Sequence, residues 1–297
     1  MLGVRIIHFI INPISGKGNN QLALEMVSKI FDSKDFDVKI KETLRQGHAK
    51  TLASKSVIEG ANIVVACGGD GTVNEIASVL VETSTVLGII PMGSGNGLAS
   101  SLKIPKNNLK ALNVIKNLNT IRVDVGEINK NYFFSNTGIG FTANVISNYS
   151  KARNRRFLSY LKATLLTILY TPPSVRLSIT TNNESFNLRP FMVFVSNTNE
   201  MGYNISLTPQ ASIQDGELDA IVVEPLNKIE MICFAFLLLI RRPHNFKKAH
   251  CFLTQNIEIR SFEKEEFLAQ VDGELTQIKS NQVNITIQKG AVSVLIP

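Results

Sequence analysis

The sequence predicts a two-part α/β protein: an N-terminal domain built on a parallel sheet, then a mainly antiparallel, β-rich domain. Three observations carry this reading. Over the first 120 residues, continuous apolar runs alternate with stretches of helical periodicity, as expected for strands joined through crossover helices. After Ile121 the pattern changes to short strand candidates separated by turn residues. The chain has 297 residues, 44% of them hydrophobic, which supplies a core for two ordinary domains or one large one and rules out general disorder.

In order, Val4–Ile11 reads as a buried strand, and Leu22, Met26, Val27, Ile30 and Phe31 mark one face of a helix. Phe36–Ile40 is a second strand and Ala49–Ile58 a second helix. Asn62–Ala66 is a third strand, continuously apolar from Ile63 as a central parallel strand should be. Val73, Ile76, Ala77 and Leu80 form a helical stripe, Val86–Ile90 a fourth strand, and Leu109, Leu112 and Ile115 a further helix. Beyond the change, strands are expected at Tyr132–Ser135, Val175–Thr180, Phe191–Ser196, Leu218–Val223, Ile257–Ile259, Phe267–Val271, Val283–Ile287 and Val292–Ile296. Asn182-Asn183 stands between two of them like a hairpin turn. Two helices interrupt this half, Phe157–Tyr170 stopped by Pro172-Pro173 and Ile229–Ile240 stopped by Pro243. The expected domains are 1–124 and 125–282.

Lys and Arg number 31 against 24 acids, a formal charge of +7, and mean hydropathy is +0.10. A basic, slightly apolar chain suits an anionic partner, a membrane surface, or both. The longest apolar run, Met231–Ile240, is half the roughly 20 residues a spanning helix needs, so no transmembrane segment is expected. Met1–Asn12 carries a single Arg5 and no small-residue cleavage site, which argues against a signal peptide. Cys67, Cys233 and Cys251 are scattered and form no ligand pair, as in a reduced cytoplasmic protein without zinc. No histidine has a partner at triad or metal spacing, and the aromatics (Phe 16, Tyr 5, Trp 0) read as core, which disfavours nucleic acid as the partner.

Three glycine-rich clusters follow strands: Asn12-Pro13-Ile14-Ser15-Gly16-Lys17-Gly18, Gly68-Gly69-Asp70-Gly71-Thr72-Val73-Asn74-Glu75, and Pro91-Met92-Gly93-Ser94-Gly95-Asn96-Gly97. Ligands of open α/β sheets bind beyond the carboxyl ends of the strands, so three such loops converge on one crevice. One glycine-rich turn alone is no more than a tight turn; three in register suit a polyphosphate, because glycine lets backbone N–H groups close on an anion. Ser15, Thr72 and Ser94 add hydroxyls and Lys17 a charge. Neither the G-x-x-x-x-G-K-[ST] loop nor the G-x-G-x-x-G fingerprint is present.

Gly-Gly-Asp-Gly-Thr with Asn74-Glu75, the early Asn-Pro-x-Ser-Gly and the Gly-Ser-Gly-Asn loop together resemble the diacylglycerol kinase catalytic family, which includes bacterial lipid kinases, sphingosine kinases and ceramide kinases. Asp215-Gly216-Glu217-Leu218-Asp219 and Val271-Asp272-Gly273-Glu274 extend the resemblance over essentially the whole chain. It implies an α/β nucleotide-binding domain like that of NAD kinases and phosphofructokinases, followed by a β-sandwich-like domain, with the last strands near 283–297 returning to the first. It further implies ATP held by Asn12, Pro13, Ile14, Ser15, Gly16, Thr43, Gly68, Gly69, Asp70, Gly71, Thr72, Val73, Asn74 and Ser94. Asp70 would help position Mg2+ and Asp124 would join an acidic network around it. Asp272 and Glu274 would come from the second domain, Glu274 as proton acceptor from a lipid hydroxyl. Asp215, with Ser212 and Glu217, would form a second, structural magnesium site. Ser94-Gly95-Asn96-Gly97-Leu98-Ala99 departs from the commoner bacterial form toward the sphingosine kinase branch, which keeps the hydroxyl but leaves the acceptor lipid open.

The chemistry agrees: phosphoryl transfer needs positioning, a hard cation on the phosphates and a base for the attacking hydroxyl. Each acid also has a plainer reading, as a turn or strand-end residue. A lipid substrate must be met at an interface, and Lys151, Arg153, Arg155, Arg156 and Lys162 run into apolar Phe157–Tyr170, while Arg241, Arg242, Lys247 and Lys248 follow Met231–Ile240. The second of these, apolar nearly all round, reads more readily as a buried helix. The expectation is therefore a cytoplasmic lipid kinase in peripheral contact with the bilayer that carries its substrate, acting on diacylglycerol or a sphingoid-type lipid. A homodimer is compatible with the sequence but not required by it. The rivals are NAD kinase, which shares Gly-Gly-Asp-Gly-Thr, and an inactive lipid- or nucleotide-binding module.

Overall fold

The computed structural model describes residues 4–16, 27, 29–152, 157–170, 174–182, 184–201 and 206–297. Lys17, Gly18, Leu22, Met26, Arg153, Arg155, Arg156, Pro172, Pro173 and Asn183, all invoked above, lie outside them. The chain divides into two units, Met1–Val123 with Gly290–Pro297, and Asp124–Lys289. The first contains β1 (Arg5–Ile11), β2 (Phe36–Glu42), α1 (His48–Ile58), β3 (Ile63–Gly68), α2 (Asp70–Leu80), β4 (Val86–Pro91), α3 (Gly97–Ser101) and α4 (Asn108–Asn117). Strand β5 (Thr120–Ile128) leads into the second, which contains β6 (Asn131–Phe133), β7 (Asn136–Gly140), α5 (Phe141–Ser150), α6 (Phe157–Leu169), β8 (Leu177–Thr181), β9 (Ser185–Leu188) and β10 (Met192–Ser196). It continues through β11 (Leu218–Val223), α7 (Lys228–Leu239), β12 (Ala249–Thr254), β13 (Asn256–Ser261), β14 (Phe267–Val271) and β15 (Glu274–Ile278), and β16 (Gln282–Leu295) returns to the first.

The sheet of the first unit has the order β2-β1-β3-β4-β16 with parallel pairing. Every residue of β3 is buried, which is why Ile63–Cys67 reads as one apolar run with no polar face. Helix α2 lays Val73, Ile76, Ala77 and Leu80 into the core at helical spacing. Asn107 caps α4 by accepting from the Lys110 N–H at 3.1 Å. The chain steps outward from β1 to β2 and then crosses back to β3, so the strand order reverses between β1 and β3. That is the place where such sheets leave a crevice at their carboxyl ends.

The second unit is a sandwich of two antiparallel sheets. One has the order β12-β11-β10-β7-β14-β15. The other runs from the first half of β16 through β13 and β8 to β9. Strands β10 and β11 are buried on both faces, and their side chains split by the two-residue period of a strand. Val193, Val195, Leu218, Ala220 and Val222 enter the core between the sheets. Met192, Phe194, Ile221 and Val223 form a second core with Phe234 of α7.

Four expectations change. Val283–Ile287 and Val292–Ile296 are one strand, because Gly290, at φ 53°, lets β16 bend without ending. The hairpin partner of β8 is the short β9, not the strand at Phe191–Ser196. Elements β7 and α5, hidden in the glycine-rich Asn136–Phe141, were not anticipated. Helix α7 is not a core helix: Phe234 is its one buried residue, and Ile229, Ile232, Phe236 and Leu239 face outward.

Candidate active site

The loops after β1, β3 and β4 are stitched together by backbone bonds that prolong the sheet. The Asn12 N–H donates to the Cys67 carbonyl at 2.9 Å, Thr43 N–H to Ile11 at 2.9 Å, and Met92 N–H to Gly68 at 2.8 Å. The Asn12 amide group donates to the Thr72 hydroxyl at 3.1 Å, joining the first loop to the first turn of α2. Asn12 also folds its own loop: its side-chain oxygen accepts from Ile14 N–H, and its carbonyl accepts from the Ser15 hydroxyl at 2.8 Å. Gly16 follows at φ 69°.

The second and third loops touch through their backbones. A Cβ on Gly93 would lie 2.6 Å from the Gly69 Cα, so glycine is required there by contact. A Cβ on Gly95 would lie 2.8 Å from an Asp70 carboxylate oxygen. Asp70 opens α2 and accepts from the N–H groups of Asn96 at 2.8 Å and Gly97 at 2.7 Å, one on each oxygen. It thereby holds the third loop against the second. Asn96, in the left-handed region at φ 56°, closes that loop by exchanging two bonds with Gly93. Ser94 is exposed at the tip. Gly71, Thr72 and Asn74 lie in the first turns of α2, whose leading amides have no intrahelical acceptor. Val73 and Thr72 are both buried, Val73 as an apolar residue of the core and Thr72 with its hydroxyl on Asn12.

Glu75, which ends the Gly68–Glu75 cluster, works away from the glycine-rich loops. Its carboxylate accepts from the N–H groups of Gly47 at 2.8 Å and Ala49 at 3.1 Å, so it caps α1 and ties down the β2–α1 loop that carries Thr43. The available signal was an acid on α2 opposite a helix whose own start offers no acidic cap.

In the second unit, buried Asp124 accepts from Gly216 N–H at 2.7 Å, and its own N–H donates to Ile213 at 2.8 Å. The Asp215 turn is thus fastened to β5, with Gly216 at φ 74°. Asp215 accepts from Glu217 N–H at 3.0 Å, and Ser212 from Gln214 N–H at 3.4 Å. Two residues beyond Glu217, Asp219 has a buried carboxylate oxygen without a hydrogen-bond partner. Burial, reinforced by the charges of Asp215 and Glu217, pushes its carboxyl up to about 6. No three acidic, histidine or cysteine groups among the described residues converge on one point. A magnesium ion needs no such cage, since it keeps several waters and takes one or two carboxylates. The orphaned oxygen and mutually repelling acids here fit that donor chemistry.

Asp272 is held by three backbone amides. At φ 47°, its carboxylate accepts from the N–H groups of Phe134 at 2.8 Å, Ser135 at 2.8 Å and Asn136 at 3.0 Å. It anchors the β6–β7 turn, and Glu274, half-buried at the start of β15 two residues later, inherits its position from that anchor. A cavity of about 590 Å3 lies in the same unit, lined chiefly by apolar side chains such as Ile139, Phe141, Val193 and Phe267.

Residues 7–128 match the family model "Diacylglycerol kinase catalytic domain", and residues 135–296 match "YegS C-terminal NAD kinase beta sandwich-like domain". The chain is 30% identical over 228 residues to a diacylglycerol kinase of Staphylococcus haemolyticus, covering 75% of this chain and 68% of that one. It is 26% identical over 280 residues to a diacylglycerol kinase of Bacillus subtilis, covering 92% and 90%. Among solved structures, a diacylglycerol kinase from Bacillus anthracis superposes with a TM-score of 0.79 at 23% identity, covering 99% of this chain and 97% of that one.

Proposed function

Since this chain belongs to the diacylglycerol kinase family and is an ATP-dependent lipid kinase, we propose that it transfers the γ-phosphate of ATP to the free hydroxyl of diacylglycerol with Mg2+ as the metal. The observation that supports this most is the triple loop at the strand-order reversal, where Asn12 ties the first loop to Thr72 of the second and Asp70, with the Gly69–Gly93 approach, ties the second to the third. Backbone amides and the Thr72 and Ser94 hydroxyls of this surface would bind the phosphates, with Thr43 beside them. Magnesium, when bound, neutralises charge on the phosphates. Asp70, beside Asn74, would orient it there, while Asp215, with Ser212, Glu217, Asp219 and Asp124 around it, would hold a structural ion.

Glu274 is the proposed base: it accepts the proton of the lipid hydroxyl as the oxygen bonds to phosphorus and ADP departs. Asp272 is a positioning residue, because its oxygens are spent on three amides. The apolar cavity of the second unit suits an acyl chain. In this reading residues 1–124 bind ATP, residues 125–282 handle the lipid, and the protein works in peripheral contact with a membrane.

Radiolabelled ATP offered with diacylglycerol, a sphingoid base, ceramide or NAD tests this. Label is expected in phosphatidic acid. Label in NAD alone, or in no acceptor despite ATP binding, would overturn it. Glu274→Gln should bind ATP normally and lose transfer by at least 100-fold, in the range general-base removal produces.

A further inference from the structure

Helix α6 packs on α5 through one stripe at helical spacing. Tyr160 meets Tyr149 edge to face at 5.6 Å, Ala163 is buried, and the Thr167 hydroxyl accepts from Asn148 at 3.0 Å. The opposite stripe is apolar and open to solvent: Leu158 is 75% exposed and Leu165 54%, with Leu161 and Leu169 beside them. Helix α7 repeats the arrangement. Met231, Phe234 and Leu238 pack inward, while Ile232 at 70% and Phe236 at 61% exposure face outward with Ile229 and Leu239. Single exposed apolar residues are ordinary, but two helices with whole leucine-, isoleucine- and phenylalanine-rich faces outward mark an interaction surface.

The two helices border one cavity. Ile168 and Leu169 of α6 and Lys228 and Met231 of α7 line the same cavity of about 590 Å3, with Lys264 on its rim. Exposed Lys162 sits on α6, and exposed Arg241, Arg242 and Lys247 follow α7. Arg241 pairs with Glu200 at 3.1 Å and Lys248 with Glu230 at 2.7 Å, and Glu266 shares the cavity lining with Lys264, so Lys162, Arg242 and Lys247 are the exposed cations that carry the charge argument.

We infer that α6 and α7 are the face by which the second unit docks on an anionic bilayer, and that the cavity they rim takes its lipid chain directly from that bilayer. This rests on the lipid-kinase reading above. Charge decides the occupant. A two-fold pairing of copies through this face would set like-charged rims against one another, whereas anionic headgroups neutralise the rim and hydrocarbon covers the apolar stripes. The stripes then lie at the depth of the acyl chains, at the mouth of an apolar cavity, so the chain need not cross water.

The test uses co-sedimentation with phosphatidylcholine vesicles, with and without phosphatidylglycerol, alongside kinase turnover on a short-chain diacylglycerol kept monomeric. The wild type should pellet with the anionic vesicles and far less with the neutral ones. The pairs Ile232→Asp with Phe236→Asp, and Leu158→Asp with Leu165→Asp, should each lower partitioning at least tenfold and leave monomer turnover unchanged. Arg242→Ala with Lys247→Ala should lower anionic binding by roughly 25-fold, about fivefold per cation. Aspartate variants that pellet like the wild type overturn the inference. So does a wild-type dimer in sedimentation equilibrium that these variants dissociate without changing vesicle binding, since a second copy then covers the face. Turnover of no lipid in any form by a vesicle-binding wild type overturns the kinase reading instead and leaves the docking face standing.

Discussion

Replacing Asp272 by Ala removes one acceptor from three backbone donors, the amides of Phe134, Ser135 and Asn136, at 2.8, 2.8 and 3.0 Å. A hydrogen bond to a charged group contributes about 1.5–3 kcal/mol, and an amide left unpaired in a part-buried turn loses that and its hydration. The three bonds share one carboxylate and are not additive, so the loss should be about 3–5 kcal/mol, a large part of the 5–15 kcal/mol that typically stabilises a domain. Alanine also tolerates the local φ of 47° less well than aspartate. At about 2–4 °C per kcal/mol for a unit of this size, the thermal midpoint should fall by about 6–20 °C. Near-ultraviolet circular dichroism reads the unfolding, and transfer of label from ATP to lipid is measured well below the lowered midpoint. Asp272→Asn, which keeps one acceptor oxygen, should lose about half as much stability. A Asp272→Ala protein that melts within about 2 °C of the wild type yet transfers no phosphate would refute the assignment and put Asp272 in the chemistry.

Three further outcomes follow from the same contacts. Gly93→Ala forces a Cβ to within 2.6 Å of Gly69 and 2.8 Å of the Asn96 side chain, so titration calorimetry should show ATP affinity reduced at least tenfold; unchanged affinity would mean the loops need not touch. Burial, with Lys41 next in weight, lowers the pKa of His8, so below about pH 6.5 the unfolded chain binds a proton that folded His8 refuses. Wild-type stability should then fall between pH 7.5 and 5.5 by more than that of His8→Leu in denaturant titrations, and equal losses would sink the idea. Without nucleotide, saturating Mg2+ should raise the thermal midpoint of the wild type but not of Asp215→Asn, the gain at 100 times Kd being about 2.7 kcal/mol; a full shift in the variant would place the ion elsewhere.

Much of the α/β half is legible in sequence because its strands are buried on both faces and its helices on one, so hydrophobic period and burial coincide, as at Ile63–Cys67 and at Val73, Ile76, Ala77 and Leu80. What was not legible is long-range. Nothing local to Asp272 says that its partners are the amides of 134–136, and nothing local to Asp70 names Asn96 and Gly97. Both acids stand in turns that invite a chemical role, and both are spent at least partly on holding backbone. Strand β7 escaped notice because Asn136-Thr137-Gly138-Ile139-Gly140 has no apolar alternation; Gly138 is there because a Cβ would lie 2.4 Å from the Thr142 hydroxyl. Helix α7 was misjudged as core for the opposite reason: its composition is apolar all round, and composition does not say which side finds protein.

Strand β16 carries a consequence for how the molecule is made. Val294 pairs with Leu87 of β4, so an early strand waits for a partner 207 residues (294 − 87) further along the chain. At ~5–20 residues per second, a ribosome needs roughly 10–40 s to deliver the partner. During that interval β4 has a bare outer edge, the kind of template that captures stray strands. Nascent chains should therefore depend on chaperones until β16 has emerged, and removal of residues 290–297 should leave that edge of β4 bare for good.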